Sequence, residues 1–425
     1  MSRGIQSIAM VDTDGGYGIG GYTYELSEGL ASHGICVDVY ANGRSTLRDV
    51  PPRHHRRLPV LGRALCRQTG LPHEGVSWVE PSSNGTASAG TPGGATAAKS
   101  RLRGWIRHGL LAVEFASYLK HKHYDVVWIQ WPGDVYGAAL YSMCRALGMR
   151  VVHTVHNVLP HETIAADIPN QALLYRKADA LIVHSAWAER ELTRLFRDVS
   201  HKIVRSRIGL YTMYPRRPDS RPQTRAALRV DDGTPVVLFF GGIRPYKNVD
   251  AVLGAMRDER LRTAVLVVAG VESGYDARVP GDPLGRTRAL VDQLGITERV
   301  RLVPGGLDCA DTTALLEAAD ILVLPYVKSY GSALLLLGMT FDKYVVATTA
   351  GGMDEYLDAY PHHTVIACSD VEHVVAGLAE ALRRLPLRQM IPAPPMPALA
   401  WSDIAKQVLA ALNVHLAFLP AGSSV

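Results

Sequence analysis

Short strand-like runs, most of them mainly apolar, alternate with amphipathic stretches along most of the chain. In the first half the runs are Gln6–Val11, Ile35–Tyr40, Asp125–Gln130, Val151–Val155, Ala180–Val183 and Lys202–Ile208. In the second half they are Val236–Phe240, Val265–Ala269, Val300–Val303, Ile321–Leu324, Tyr344–Thr348 and Val365–Ala367. A run without polar alternation marks a strand covered on both faces, as in a parallel sheet. Helical patterns lie between the runs, so strand–helix alternation occurs twice. This predicts an α/β protein of two Rossmann-like, doubly wound parallel-sheet domains facing a cleft. Residues 214–222, rich in Pro and Arg, read as the linker, giving domains at 1–213 and 214–397. A last amphipathic helix is predicted over Trp401–Phe418, after the prolines of 392–397.

The rhythm breaks between residues 42 and 100. Arg53–Arg57 is a basic cluster, and Pro81–Ser100, rich in Ser, Gly, Thr, Ala and Pro, reads as an irregular, flexible loop. Arg101–Lys120 follows as an amphipathic helix, with Arg101, Arg103, Trp105 and Arg107 near its start. Two readings stand for it: a helix covering the first sheet, or a basic, Trp-bearing foot on an anionic membrane.

Composition narrows the class. A chain of 425 residues, 47% of them hydrophobic, has material for two sizeable cores. The net charge of +5 suits an anionic partner such as a nucleotide or a lipid surface. It gives little support to nucleic-acid binding, because the basic residues lack interleaved aromatic platforms. The five cysteines are scattered without CxxC spacing, so neither a disulfide framework nor a zinc site is expected. With no secretory segment and no apolar run near the roughly 20 residues of a bilayer span, a cytoplasmic protein, at most peripheral at the inner face of the membrane, is expected.

The chemistry concentrates in Pro235–Asp250. Strand Val236–Phe240 runs into Gly241-Gly242, and Arg244 and Lys247 follow before a helix begins. Strand, glycine turn, cations and helix start make a phosphate site in α/β proteins. Arg offers a planar fork and Lys a mobile point charge. The plain alternative is a strand-to-helix loop with two solvated cations, since the turn is neither a Walker loop nor a GxGxxG fingerprint. Asp12-Thr13-Asp14 allows metal binding or loop chemistry, and the glycines that follow favour the loop, so no metal is expected. The segment HNVLPHE places His156, Asn157, His161 and Glu162 at a strand's C-terminal end, where open sheets bind ligands.

Taken in order, these segments resemble the GT-B glycosyltransferases, and within them the family 4 type. The resemblance covers all but roughly residues 44–100. DGGYGIGGY (Asp14–Tyr22) is similar to the acceptor-side loop, implying that Asp14, Gly15, Gly16 and Tyr17 face the acceptor. VVHTVHNVLPHE is similar to the strand ending in a functional His, here His156, with Asn157 and Glu162 beside it. FFGGIRPYKN is similar to the donor-diphosphate motif, implying roles for Gly242, Arg244 and Lys247. AADILVLPY, SYGSA and TTAGGMDEYL are similar to the nucleotide-sugar pocket, implying Tyr326, Gly331, Ser332, Ala333 and Glu355. WSDIA is similar to the start of the helix that crosses back to the first domain, here within residues 398–420.

One departure stands out. The family carries two Glu eight positions apart, one associated with the donor sugar and one with the ribose; Ser329 and Leu337 occupy these places. The resemblance implies metal-independent transfer from a nucleotide-diphospho-sugar to a hydroxyl. Polysaccharide or glycolipid assembly is the favoured setting, with a lipid-linked acceptor suiting the basic helix. The family retains anomeric configuration. Without the Glu pair, inversion with His156, Asp14 or Glu162 as base stays open. A silent sugar-nucleotide-binding partner subunit and a nucleotide-sugar epimerase are the rival readings.

Overall fold

The computed structural model describes residues 4–12, 17–41, 50–58, 110, 112–131, 135–270, 281–390 and 393–418. Among these, the strands form two sheets in which every pairing is parallel. The first holds β1 (Ser7–Asp12), β2 (Cys36–Ala41), β3 (Arg56–Leu58), β4 (Val126–Trp131), β5 (Arg150–Thr154), β6 (Ala180–Val183) and β7 (Ile203–Arg205), in the order β3-β2-β1-β4-β5-β6-β7. The second holds β8 (Val236–Phe240), β9 (Val265–Gly270), β10 (Val300–Pro304), β11 (Ile321–Leu324), β12 (Tyr344–Ala347) and β13 (His363–Val365), in the order β10-β9-β8-β11-β12-β13. The strand order reverses between β1 and β4 and between β8 and β11. Ligands of open α/β sheets bind beyond the carboxyl ends of strands at such points.

The apolar runs become strands because both faces are covered. Ile8 and Met10 of β1 pack into one cluster and Ala9 and Val11 into another, following the period of two. Leu238 and the pair Val237 and Phe239 divide in the same way in β8. The cluster containing Met10 also contains Leu238, so one apolar core runs from the first sheet to the second.

The run Lys202–Ile208 yields only Ile203–Arg205, because the chain leaves the sheet there. Ile208 donates its N–H to the Tyr356 hydroxyl of the second half at 3.0 Å. Strand β3 has no apolar signature and falls within the basic cluster. Glu28 accepts from the backbone N–H groups of Arg53 and His54 and lies 2.8 and 2.6 Å from Nδ1 of His54 and His55. Arg56 pairs with buried Asp38 at 2.6 Å. The basic cluster is therefore tied down by carboxylates. Pro81–Ser100 and Arg101–Arg107 lie outside the described residues. Residues 112–121 form a helix whose Ala112, Phe115, Ala116 and Leu119 cover the first sheet, which agrees with the covering-helix reading for that part.

The last helix, Trp401–Ala417, packs on the first, Tyr17–Ser32, although Trp401 follows the second sheet in sequence. Their backbones meet at Gly29, where a Cβ would stand 2.4 Å from the Trp401 carbonyl oxygen. The Trp401 indole N–H donates to the Leu210 carbonyl at 2.7 Å, fastening the helix to the segment joining the two sheets. The C-terminal edges of the sheets face each other. Loops after β5 and β6 touch loops after β8 and β12.

Candidate functional site

The loop after β8 is set by two glycines. Gly241 has φ +94° and donates its N–H to the Ala269 carbonyl at 2.9 Å. A Cβ on Gly270 would lie 2.2 Å from the Gly241 oxygen, and one on Gly241 would lie 2.7 Å from the Lys247 Nζ. Only glycine permits both this dihedral and this approach. The chain continues through Gly242 and extended Arg244 into the short turn Pro245–Lys247. Asn248, at φ 56°, closes the turn, its side-chain amide donating to the Ser369 carbonyl at 2.6 Å.

Lys247 is only 8% exposed and forms no ion pair among the described residues. Its ammonium lies 5.9 Å from the centre of the Tyr326 ring, itself buried. Burial first, and Arg244 second, push its pKa down to about 8. An isolated buried ammonium is costly, and an anion beside it removes the cost.

The facing wall comes from the loop after β5. His156 is half-buried, with ring contacts of 4.9 Å to Tyr22 and 5.3 Å to His184, and its Nε2 lies 3.3 Å from Gln130 Oε1. Burial, then the neighbouring His184 and His153, hold its pKa well below the usual range, so the ring is neutral. The Asn157 carbonyl receives the Tyr175 hydroxyl at 3.3 Å. His161 stacks on Tyr246 of the β8 loop with centroids 3.8 Å apart. Burial, then Arg244, Lys328 and Lys247, lower its pKa to about 3. Glu162 meets the Arg244 guanidinium at 3.0 Å across the cleft.

Helix Ala333–Thr340 supplies the third wall. Ser332 caps it, accepting from the Leu335 N–H at 3.2 Å, and Ala333 is its first residue. Leu334 reaches the Gly241 turn, where a Cβ would meet its Cδ1 at 3.2 Å, so the helix start and the Lys247 ammonium converge. Gly331, at φ +139°, sits against Ile208 and His184 of the first half. Ser329 closes the turn onto the Gly331 carbonyl at 2.8 Å, and Leu337 is buried in the core.

Glu355, expected at the donor pocket, reaches across to the opposite half. Its two carboxylate oxygens accept the N–H groups of Ala186 and Trp187 at 3.0 and 3.1 Å, capping helix Ala186–Leu195 of the opposite half. A carboxylate at a helix N-terminus meets unpaired amides and the positive end of the dipole. Asp14, Gly15 and Gly16 lie outside the described residues. Tyr17 opens the first helix, its side chain lying outside the description. Away from these walls, Cys368, Asp370 and His373 bring three donor atoms together at the exposed start of helix Val371–Met390. Asp370 already caps that helix by accepting the His373 N–H at 3.0 Å.

The structure thus brings together His156, Glu162, Gly242, Arg244, Lys247, Tyr326, Gly331, Ser332 and Ala333. Sequence reasoning passes over Gln130 and Tyr356. Gln130 carries a signal, being the lone amide inside the apolar run VVWIQW. Tyr356 carries none, since its place follows from how the two halves meet.

The model for glycosyl transferases group 1 matches residues 220–392, and that for a glycosyl transferase 4-like domain matches residues 17–205. The D-inositol 3-phosphate glycosyltransferase of Saccharomonospora viridis is 29% identical over 262 residues, 57% of this chain and 57% of the relative. That of Segniliparus rotundus is 26% identical over 351 residues, 79% of this chain and 70% of the relative. The chain thus spans little more than half the length of the first of these relatives. Among solved structures, Anabaena HepE in complex with UDP and glucose aligns with TM-score 0.62 at 15% identity, over 97% of this chain and 98% of its own. Sucrose-phosphate synthase from Thermosynechococcus elongatus aligns with TM-score 0.61 at 17% identity, over 97% of both chains.

Proposed function

Because the chain belongs to the GT-B glycosyltransferases of the family 4 type, we propose that it transfers a sugar from a nucleotide-diphospho-sugar to a hydroxyl. The observation carrying this reading is Lys247, a buried ammonium without a carboxylate partner among the described residues, set beside Arg244 and the start of helix Ala333–Thr340. Charge accumulates on the diphosphate as the glycosidic bond breaks. Two fixed cations and helix-end amides stabilise it without reorganising. The second half then holds the donor and the first the acceptor, with His156 presenting a neutral ring to the sugar or the attacking hydroxyl. Closure of the cleft keeps out the water that would hydrolyse the donor. UDP-sugars are the first donors to test, by analogy with the UDP bound to Anabaena HepE. Polyols, inositol phosphates and lipid-linked sugars are the acceptors to screen, the first two by analogy with the inositol-phosphate relatives.

The test is release of nucleoside diphosphate that depends on an added acceptor, with and without a chelator. Transfer persists with the chelator, because the leaving charge rests on Arg244 and Lys247. Lys247→Ala or Arg244→Ala lowers turnover by about 10²–10³, the usual cost of one such preorganised group. Unchanged turnover in both variants refutes the clamp.

A further inference from the structure

We propose that Gln130 is a positioning residue that fixes the tautomer of His156, placing the proton on Nε2 and the lone pair on Nδ1. This rests on His156 belonging to the transfer site. The sheet supplies the first observation. In the β1–β4 ladder Val11 pairs with Ile129 but Asp12 pairs with Trp131, so Gln130 is an extra residue, a β-bulge, at the carboxyl end of β4. Bulges near sites re-aim a side chain that regular pleating would point elsewhere. Here the result is a primary amide that is fully buried, in a strand otherwise apolar.

The amide has two ends and two neighbours. Its Nε2 lies against the Met10 sulfur and its Oε1 lies 3.3 Å from His156 Nε2. A thioether sulfur accepts hydrogen bonds and has no proton to give, so the NH₂ end belongs there. The carbonyl end is left for His156, and a carbonyl only accepts. His156 Nε2 must therefore carry the proton. In a neutral imidazole the other nitrogen is then the base. Among the described residues His156 Nδ1 forms no hydrogen bond, so that lone pair is the one the ring offers to a hydroxyl. The titratable groups around the ring are Tyr22 from the first helix, His184 from the end of β6 and His153 from β5.

The test follows the imidazole nitrogens of the full-length protein, labelled with ¹⁵N-histidine, by long-range proton–nitrogen spectra across pH. His156→Gln assigns the signal. The native protein shows the Nε2–H tautomer. Gln130→Leu, which removes the acceptor, shows a mixture or the Nδ1–H form, while the other histidine signals keep their places. Gln130→Glu keeps the Nε2–H tautomer and titrates at higher pH, because a carboxylate stabilises the imidazolium. This second variant carries the test if Gln130→Leu fails to fold. An Nδ1–H tautomer in the native protein overturns the proposal, and so does an unchanged tautomer in folded Gln130→Leu or a titration unmoved in Gln130→Glu. Sugar transfer by Gln130→Leu falls by about 10- to 100-fold, by analogy with the loss of a partner that orients a metal-bound His. If His156→Gln transfers at the native rate while the tautomer results hold, the place of His156 in the transfer site is refuted and the hold of Gln130 on its ring stands.

Discussion

A lysine pushed down to about pKa 8 makes the proposed donor binding depend on pH in a defined window. A diphosphate stabilises the ammonium, so Lys247 in the complex titrates above its value in the free protein. Below about pH 8 the free protein already carries the charge. Above it, each binding event must take up a proton, and affinity falls by as much as about tenfold per pH unit. Calorimetric affinity for UDP at pH 7 and 9 checks this; equal affinities contradict it. Glu162 opposes the same clamp, since its carboxylate neutralises Arg244 across the cleft. Glu162→Gln removes that competition and tightens nucleotide binding by about 0.2–1 kcal/mol, as expected of a partly exposed pair. Weaker binding in that variant would assign Glu162 to positioning Arg244.

The strands and helices show what the sequence discloses and what it withholds. Val236–Phe240 and Ile321–Leu324 are legible to the residue, because strands covered on both faces leave unbroken apolar runs. Arg244 and Lys247 are legible because the cations follow a glycine turn at the end of such a run. Strand β3 is illegible, because the Arg56–Asp38 ion pair, with His55 on Glu28 just before it, holds it where apolar packing holds the others. The bulge at Gln130 is illegible because it exists only in the register against β1. A glycine inside a helix repays reading only with coordinates. Gly29 looks like an ordinary helical residue, yet the last helix crosses there. Gly29→Val drives a side chain into the Trp401 carbonyl and lowers stability by about 1–3 kcal/mol, the cost of overpacking, read as a fall in melting temperature. The control is Gly18→Ala in the same helix, where the new Cβ meets no heavy atom of the described residues within 4 Å. It leaves the melting temperature unchanged or raises it, since Ala is the better helix former.

The two halves are joined by more than their connecting chain. Ser185 donates to the Gly351 carbonyl at 3.1 Å, Tyr356 donates to the His184 carbonyl at 2.7 Å, and Glu355 caps the helix of the opposite half. These contacts flank the cleft, so they set the distance between the wall bearing His156 and the wall bearing Lys247. No helix among the described residues is long and apolar enough to cross a membrane. Glu355→Ala removes a cap worth about 0.5–2 kcal/mol and loosens the closed arrangement. Solution scattering should show a larger radius of gyration, and nucleotide affinity should fall although the residue touches Ala186 and Trp187. An unchanged radius and affinity would mean that the cap is dispensable to closure. The proposed transfer depends on the diphosphate clamp. Calorimetric titration of the native protein and Lys247→Ala with UDP, GDP, ADP and TDP at pH 7 tests it. Selective binding of one nucleotide, lost in the variant, is the predicted result; no binding of any, or equal binding by the variant, contradicts it.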